Sequence, residues 1–461
     1  MSSLKMLDSK KRIHLIGIGG IGMNTIAQLL LGLGHRVSGS DIKSSRLTRK
    51  ITSLGAEVFI GHSPQNIGDI DLVAFSSAIR DDNPELLSAK EMGIPVFHRA
   101  EVLVELMKGK VGIAVAGTHG KTTTTSLIAV ILSKAGISPT VAIGGEANDL
   151  GGGALLGEGP YFLTEADESD GSFCLLSPTY SVVTNIEEEH LDFYHDIDEI
   201  LQAFNHFLDR TDREGALVAC IDDPNVRKIL NSYKKRFVTY GFSPDADISG
   251  VNIEIGWLRS RFDCRYKGQI LGPIELRAPE IHNILNALAA IGVAMELGID
   301  FDCLTKSLAE YQGVTRRFEV KLETEDLIVV DDYAHHPTEV KATLNSCRNG
   351  KRRIVCVFQP HRYTRTKCLG ERFGGSFSLA DHLILTDIYS ADETPIEGVS
   401  SKVIYDAVKR HGQTEVHLVS TNEEALDRIL KIILPGDMVV CLGAGDVGVV
   451  ADELARRFRE R

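Results

Sequence analysis

The chain lacks the marks of several large protein classes. Its eight cysteines (174, 220, 264, 303, 347, 356, 368 and 441) are scattered, with no C-x-x-C pair. That argues against a zinc framework or a disulfide scaffold and fits a reducing compartment. No stretch approaches the roughly 20 uninterrupted apolar residues of a membrane span. The start, "MSSLKMLDSKKRIHLIGIGGIGM", has a basic patch before an apolar run. However, that run is short, broken by glycine and without a small-residue cleavage site, so it is not a signal peptide. Clustered positive charge is missing as well. A formal net charge of −13 argues against a nucleic-acid or membrane-surface partner. A cytoplasmic protein is expected, in which local amides, Lys and Arg can still bind small anions. Low-complexity segments and strict repeats are absent.

What is present is an α/β rhythm on a chain too long for one core. With 461 residues, about three domains are expected. "RIHLIGIG", "HRVSGSD" and "IDLVAFSSA" read as strands, with "GMNTIAQLLLGLG" as a helix between the first two; this is the pattern of a parallel sheet. The pattern resets near Met107–Lys110 with the buried strand "VGIAVAG", a glycine loop and a helix from about Thr122. "YFLTEAD", "YSVVTNI" and "GALVACI" continue as strands, and "APEIHNILNALAAIGVAMELG" reads as a helix. A second reset near Gln312–Thr315 precedes five strands, "DLIVVDD", "RRIVCVFQP", "DHLILTD", "EVHLVS" and "DMVVCLG". The expected domains are therefore 1–108, 109–313 and 314–461: Rossmann-like, P-loop α/β with a mixed sheet, and Rossmann-like again.

Three glycine motifs stand at strand–helix turns. "GIGGIG", Gly17 to Gly22, satisfies G-x-G-x-x-G, with Asp41 at the end of the next strand where a ribose-binding acid would sit. A nucleotide or sugar-nucleotide diphosphate on the following helix N-terminus is favoured there. "GAGDVG", Gly443 to Gly448, satisfies the same pattern and is read as a plain turn. The third, "GIAVAGTHGKTTTTS", departs from G-x-x-x-x-G-K-[ST] because Val115 stands where the first glycine belongs. A variant phosphate loop is still the better reading. Amides from Gly117 to Thr122 would surround phosphates, Lys121 would neutralise them, and the Thr122 hydroxyl would face Mg²⁺.

Candidate chemistry collects at the ends of the following strands. "TEADESDGSF" carries Glu165, Asp167, Glu168 and Asp170, and "NIEEEHLDFY" carries Glu187 to Glu189, His190 and Asp192. In an α/β unit such ends gather at one edge of the sheet, where carboxylates can hold Mg²⁺. Asn283 and Asn286 share a helical face and could read an adenine edge. Arg316 and Arg317, and the group His361, Arg362, Arg365 and Lys367, are dense enough in donors for phosphate or carboxylate. Asp331, Asp332, His335 and His336 lie on a strand-to-helix loop. Adjacent histidines point apart there, so a shared metal is not expected.

These motifs, in this order and over essentially the whole chain, resemble the Mur ligases of bacterial cell-wall synthesis. The family loop G-T-x-G-K-T matches Gly117 to Thr122. The resemblance implies three domains that hold, in turn, the UDP part of the substrate, MgATP, and a closing lid. It implies ATP-dependent joining of L-alanine to the carboxylate of UDP-N-acetylmuramate through an acyl phosphate, in a monomer or homodimer. Residue by residue, ATP contacts fall on Gly117, Thr118, His119, Gly120, Lys121, Thr122, Thr123, Asn283, Asn286, Arg317 and Asp332. Metal ligands fall on Thr122, Glu165 and His190. Substrate contacts fall on Gly19, Gly20, Gly22, Ser40, Asp41, Ser76, Ser77, Tyr333, His335, Arg362 and Arg365. Lys121, Arg317 and His335 take the catalytic roles, and either His335 or released phosphate could act as base.

Two departures accompany the resemblance. Glu189 stands where the family commonly has Asp before the metal histidine. No lysine occurs between His190 and Arg210, so the carbamylated lysine of sister ligases is absent, as fits the alanine-adding branch. The alternative within the family joins a whole tripeptide to the same nucleotide. Outside it stand a nicotinamide-dependent dehydrogenase on Gly17–Gly22, in which the phosphate loop would have no role, and a nucleotide-binding regulator without catalysis.

Overall fold

The computed structural model describes residues 7, 9–190, 193–348, 352–391, 393–413 and 415–460. It contains three sheets. The first has five parallel strands in the order Glu57–Ile60, Arg36–Asp41, Arg12–Ile16, Leu72–Phe75 and Val96–His98. Ile13 and Leu15 of the central strand are fully buried against Ile26 and Leu30 of the helix Ile21–Gly32. A parallel sheet covered by helices demands such apolar strands.

The second sheet has ten strands. Its centre is Val111–Ala116, flanked by Tyr180–Val183 and Tyr161–Glu165, all parallel. The far edge turns antiparallel at Thr140–Ala147 and Gly152–Leu155, so the sheet is mixed. The helix Lys121–Lys134 follows the central strand and is buried from Thr124 to Leu132. The helix Ile281–Glu296, buried from Asn283 to Ala294 apart from one position, packs on it. The helix Ile197–Asp209 is capped by the Asp196 carboxylate, which accepts from the Glu199 amide.

The third sheet runs Glu319–Glu323, Leu327–Asp332, Asp437–Leu442, Ile354–Phe358, His382–Leu385 and Val416–Leu418, antiparallel only at its first pair. All five strands read in that region from sequence are present, and Glu319–Glu323 is a sixth. Also unread were the short strands Glu57–Ile60 and Val96–His98, the edge pair at 140–155, and the strands between Phe237 and Leu276.

The chain divides into two compact units. One holds the first two sheets: residues up to Glu254 with Arg261–Arg277 and Ile281–Gln312. The other holds the third sheet, Gly313–Arg461, with the short segments Ile255–Ser260 and Ala278–Glu280. Trp257, in the first of these segments, meets Phe318 edge to face with ring centroids 5.6 Å apart. Among the described residues no helix is long and apolar enough to cross a membrane.

Candidate active site

The phosphate loop leaves a buried strand and enters the helix Lys121–Lys134 through two residues with positive φ. Gly117 has φ +134° and Gly120 has φ +84°. A Cβ on Gly120 would stand 2.4 Å from Asn286 Oδ1, and one on Gly117 would stand 2.1 Å from Thr184 Oγ1. Only glycine fits either place, on grounds of both backbone and space. The loop is clasped from outside by Asn185. Its side-chain oxygen accepts from the His119 amide at 2.8 Å, its amide group donates to the His119 carbonyl at 3.0 Å, and its own carbonyl accepts from the Thr118 amide. The Thr118 hydroxyl accepts from the Glu187 amide. The amides opening the helix have no intrahelical acceptor and face an anion naturally.

Lys121 lies among carboxylates with 15% of its side chain exposed. Its ammonium donates to both oxygens of Glu168, at 2.8 and 2.9 Å, and to the Gly117 carbonyl at 2.5 Å. Burial alone would push the lysine down, but Glu168 and Asp167 outweigh it and hold the pKa above its ordinary value. Glu165 accepts from the Gly144 amide at 2.8 Å and from the Thr122 hydroxyl at 3.2 Å, and burial raises its carboxyl. His190 has φ +57° and stands 3.4 Å from Glu168 and 3.8 Å from Glu189. Burial would lower it, but Glu168 brings its pKa up. Of the residues expected to hold the metal, Thr122 and Glu165 thus meet directly, whereas His190 faces Glu168. Asp192 lies outside the described residues. A hydroxyl and a carboxylate beside a phosphate loop are the hard oxygen donors that Mg²⁺ takes, so this donor set fits that ion.

Asn283 and Asn286 are both buried. Asn286 accepts from the Thr124 hydroxyl at 3.2 Å and donates to Asn283 Oδ1 at 3.3 Å. This tie brings both asparagines to the phosphate-loop helix. Thr123 stands half-buried in the first turn of that helix.

In the first sheet the G-x-G-x-x-G loop is organised from the neighbouring strand. The amides of Gly17 and Ile18 donate to the Ser40 carbonyl, and the Gly19 amide donates to Asp41 Oδ2 at 2.9 Å. Gly20 precedes the helix and Gly22 is its second residue. The Ser40 side chain turns inward and is fully buried, donating to Glu85 at 2.5 Å. Glu85 is also fully buried and accepts from Asn66 at 2.5 Å, with His62 Nδ1 at 3.1 Å and His14 Nε2 at 3.7 Å. Burial pushes its carboxyl up, but His14, Ser40 and Asn66 more than offset this and hold it at about 2. Ser76 accepts from the Ala78 amide, and Ser77 donates to Asp170.

In the other unit, Arg316 and Arg317 have separate employments. Arg316 has φ +59°, pairs with Asp331 at 3.0 Å and donates to the carbonyls of Gly443 and Gly445. The second glycine-rich turn is thereby tied to its own sheet. Arg317 lies over the Tyr333 ring at 5.1 Å. Asp332 is buried and accepts from the Phe318 amide at 2.6 Å, the Ala334 amide at 2.8 Å and the Thr343 hydroxyl. Burial and Glu280 raise its carboxyl to about 6 against the pull of Arg317. His335 Nδ1 lies 3.0 Å from the Tyr333 carbonyl, an acceptor, so Nδ1 carries a proton. Arg365 donates to His361 Nδ1 at 3.1 Å, and His361 stacks on Tyr389. Burial and the neighbouring arginine hold His361 at about 3, so its ring is neutral. Arg362 has φ +68°, and its amide donates to the Tyr389 carbonyl.

The same sheet edge bears a cavity of about 510 Å³ lined by Gln359, Asp387, Tyr389, Ser420, Asn422 and Asp446 among others; no residue expected from sequence to form the site lines it. At the opposite edge His382, Glu415 and His417 gather. Arg353 reaches His382 Nε2 at 3.3 Å and Arg428 reaches His417 Nε2 at 3.0 Å. Arg428 lies 3.3 Å from His417 Nδ1 as well; with a guanidinium, which only donates, against each ring, the cluster disfavours a cation.

Glu168 and Asn185 carry much of this geometry. Only Glu168 stood out in the sequence, and there merely as one acid of a run. The signal for Asn185 was an Asn at a strand end beside that second acidic run.

The fold and site define an ATP-dependent ligase built on a phosphate loop, with a second nucleotide-type glycine loop ahead of it. The chain belongs to the Mur ligase family. The family models for the Mur ligase family catalytic domain, the Mur ligase middle domain and the Mur ligase glutamate ligase domain match residues 12–111, 115–294 and 316–445. The chain is 50% identical to UDP-N-acetylmuramate–L-alanine ligase of Geotalea uraniireducens, covering 97% of this chain and 98% of that one. It is 50% identical to the enzyme so named in Geobacter sulfurreducens, covering 98% of both. Among solved structures it is similar to UDP-N-acetylmuramate-alanine ligase of Thermotoga maritima, with 30% identity, a TM-score of 0.86 and coverage of 98% and 99%. It shares its fold with a murein peptide ligase of Psychrobacter arcticus, with 23% identity, a TM-score of 0.74 and coverage of 97% and 98%.

Proposed function

We propose that the chain joins L-alanine to the carboxylate of UDP-N-acetylmuramate at the expense of ATP, releasing UDP-N-acetylmuramoyl-L-alanine, ADP and phosphate in the cytoplasm. The observation that carries this is Lys121. It is a partly buried ammonium kept charged by Glu168 beside helix-terminal amides, in a chain half identical over its length to enzymes of that name. The proposed division of labour follows domains 1–108, 109–313 and 314–461: UDP-sugar on the Gly17–Gly22 loop of the first domain, ATP on the Gly117–Thr122 loop of the second, and the acceptor with the third domain.

A carboxylate and an ammonium ion do not condense in water, so the carboxylate is activated first. Its oxygen attacks the γ-phosphorus of ATP, ADP leaves, and an acyl phosphate forms. Lys121 and Arg317 offset the repulsion between the anions and the charge that builds on the transferring group. Thr122 and Glu165, with His190 behind Glu168, would hold Mg²⁺, which supplies further positive charge to the phosphate oxygens. Asn283, Asn286 and Asp332 serve the nucleoside end of ATP. The neutral alanine amine then attacks the acyl carbon, and phosphate leaves from the tetrahedral intermediate. His335 or the released phosphate takes the amine proton, and Arg362 and Arg365 hold carboxylates.

The test is phosphate release from MgATP with UDP-N-acetylmuramate, comparing no acceptor, L-alanine and L-Ala-D-Glu-diaminopimelate. Release that depends on L-alanine, with a product heavier by one alanyl residue, is expected. Release only with the tripeptide would overturn the choice of acceptor.

A further inference from the structure

The loop from Glu165 to Asp170 is gripped from two sides. Glu165 and Glu168 face Thr122 and Lys121 of the phosphate loop. Asp167 and Asp170 face the first sheet, where Arg99 opens the helix Arg99–Met107 directly after the strand Val96–His98. Arg99 Nη2 donates to Asp167 at 2.8 Å and lies 3.5 Å from Asp170, and its Nε donates to Ser77 at 3.2 Å. Ser77 donates in turn to Asp170, and His98 Nε2 lies 3.1 Å from Ser77 and 3.7 Å from Asp170. The remaining guanidinium nitrogen, Nη1, is directed toward the other glycine loop: a Cβ on Gly22 would stand 3.1 Å from it. A guanidinium fork spanning an anion-binding helix terminus and two carboxylates can divide its charge between them.

We propose that Arg99 binds the anionic group of the UDP-sugar at the Gly17–Gly22 loop, with Asp167 and Asp170 as its positioning residues. Through these two carboxylates the filling of that loop is felt at Lys121. An anion that draws on Arg99 weakens its hold on Asp167 and Asp170. The short chain between them and Glu168 passes the change to the lysine of the ATP site. Coupling of this kind is reciprocal, so each ligand must alter the other's affinity by the same factor. This rests on the proposed UDP-N-acetylmuramate substrate.

The experiment is calorimetric titration of the full chain with UDP-N-acetylmuramate and with UDP, each with and without a non-hydrolysable ATP analogue. Wild type, Arg99→Ala, Arg99→Lys and Asp170→Asn are compared. In the wild type, UDP-N-acetylmuramate is expected to change the Kd of the analogue about fivefold or more. Arg99→Ala is expected to weaken UDP-N-acetylmuramate at least about tenfold and to abolish that coupling, with partial rescue by lysine. Asp170→Asn is expected to weaken the UDP-sugar less but to lose the coupling as well. A defect already present with UDP identifies the diphosphate as the anion; one seen only with UDP-N-acetylmuramate identifies the muramoyl carboxylate. Binding within twofold of wild type by both Arg99 variants overturns the proposal, as does coupling that survives in Arg99→Ala and Asp170→Asn. A folded wild type that binds ATP analogue but no UDP-N-acetylmuramate would overturn the functional reading itself.

Discussion

Replacing Glu85 by glutamine keeps the shape of a fully buried side chain and removes its charge. The wild-type carboxyl is held at about 2, against an ordinary 4.5, by His14, Ser40 and Asn66 in spite of burial. That interval corresponds to about 3 kcal/mol of stability at neutral pH. Because the folded pKa lies below the unfolded one, this stability is fully present above about 4.5 and fades as pH falls toward 2. By pH 3 about three-fifths of it is gone. The assay is thermal unfolding of wild type and Glu85→Gln across pH 7 to 3. For a unit this large, about 2 °C per kcal/mol is expected, so the variant should melt about 6 °C lower at pH 7. The gap should close by roughly three-fifths at pH 3. A gap independent of pH, or one below about 1 °C at pH 7, would refute the account of Glu85 as a stabilising buried anion. Since Glu85 holds Ser40, whose carbonyl receives the Gly17 and Ile18 amides, the KM for UDP-N-acetylmuramate should also rise.

Lys121→Ala should abolish turnover, by about 10³-fold or more, while circular dichroism shows the fold retained. Near-normal phosphate release would refute its role. Gly120→Ala should lose ATP binding by calorimetry, because its Cβ would collide with Asn286 and its φ is +84°. Asp332 carries its carboxyl at about 6, so the buried group ionises only above that pH. The KM for ATP should therefore rise as pH falls from 8 through 6, and Asp332→Asn should flatten this profile. The stability linkage has the opposite sign from Glu85. With the folded pKa raised, stability from this group is complete below about 3.8 and is lost as pH rises through 6, which acid-to-neutral melting of wild type against Asp332→Asn would show.

Much of this molecule is written locally. The strands Val111–Ala116 and Ile354–Phe358 are unbroken apolar runs because parallel strands are covered on both faces, and the glycines at 117 and 120 mark turns that no other residue could make. The strands that escaped notice have physical reasons to be quiet. Val96–His98 has three residues, and Glu319–Glu323 is a partly exposed edge of alternating charge. At the site, residue types were legible but partnerships were not. Nothing near Lys121 in sequence points to Glu168, 47 residues on, nor does Ser40 announce an inward turn toward Glu85, 45 residues away. Ser40 reads from sequence as a substrate contact near a strand end, yet its side chain is fully buried and bonded to a buried carboxylate. Arg99 was silent for the same reason: an arginine at a helix start has many ordinary explanations until its acidic partners arrive from another sheet.

Trp257 is the only tryptophan in the chain, and its ring rests on Phe318, the residue after Arg317. The intrinsic emission of this protein therefore comes from one indole at a known address. Ligands that displace the Arg317 segment should register as a change in colour or brightness of the unlabelled enzyme. Any ligand-driven change at this segment could then be followed in real time, by stopped flow, without attaching any reporter.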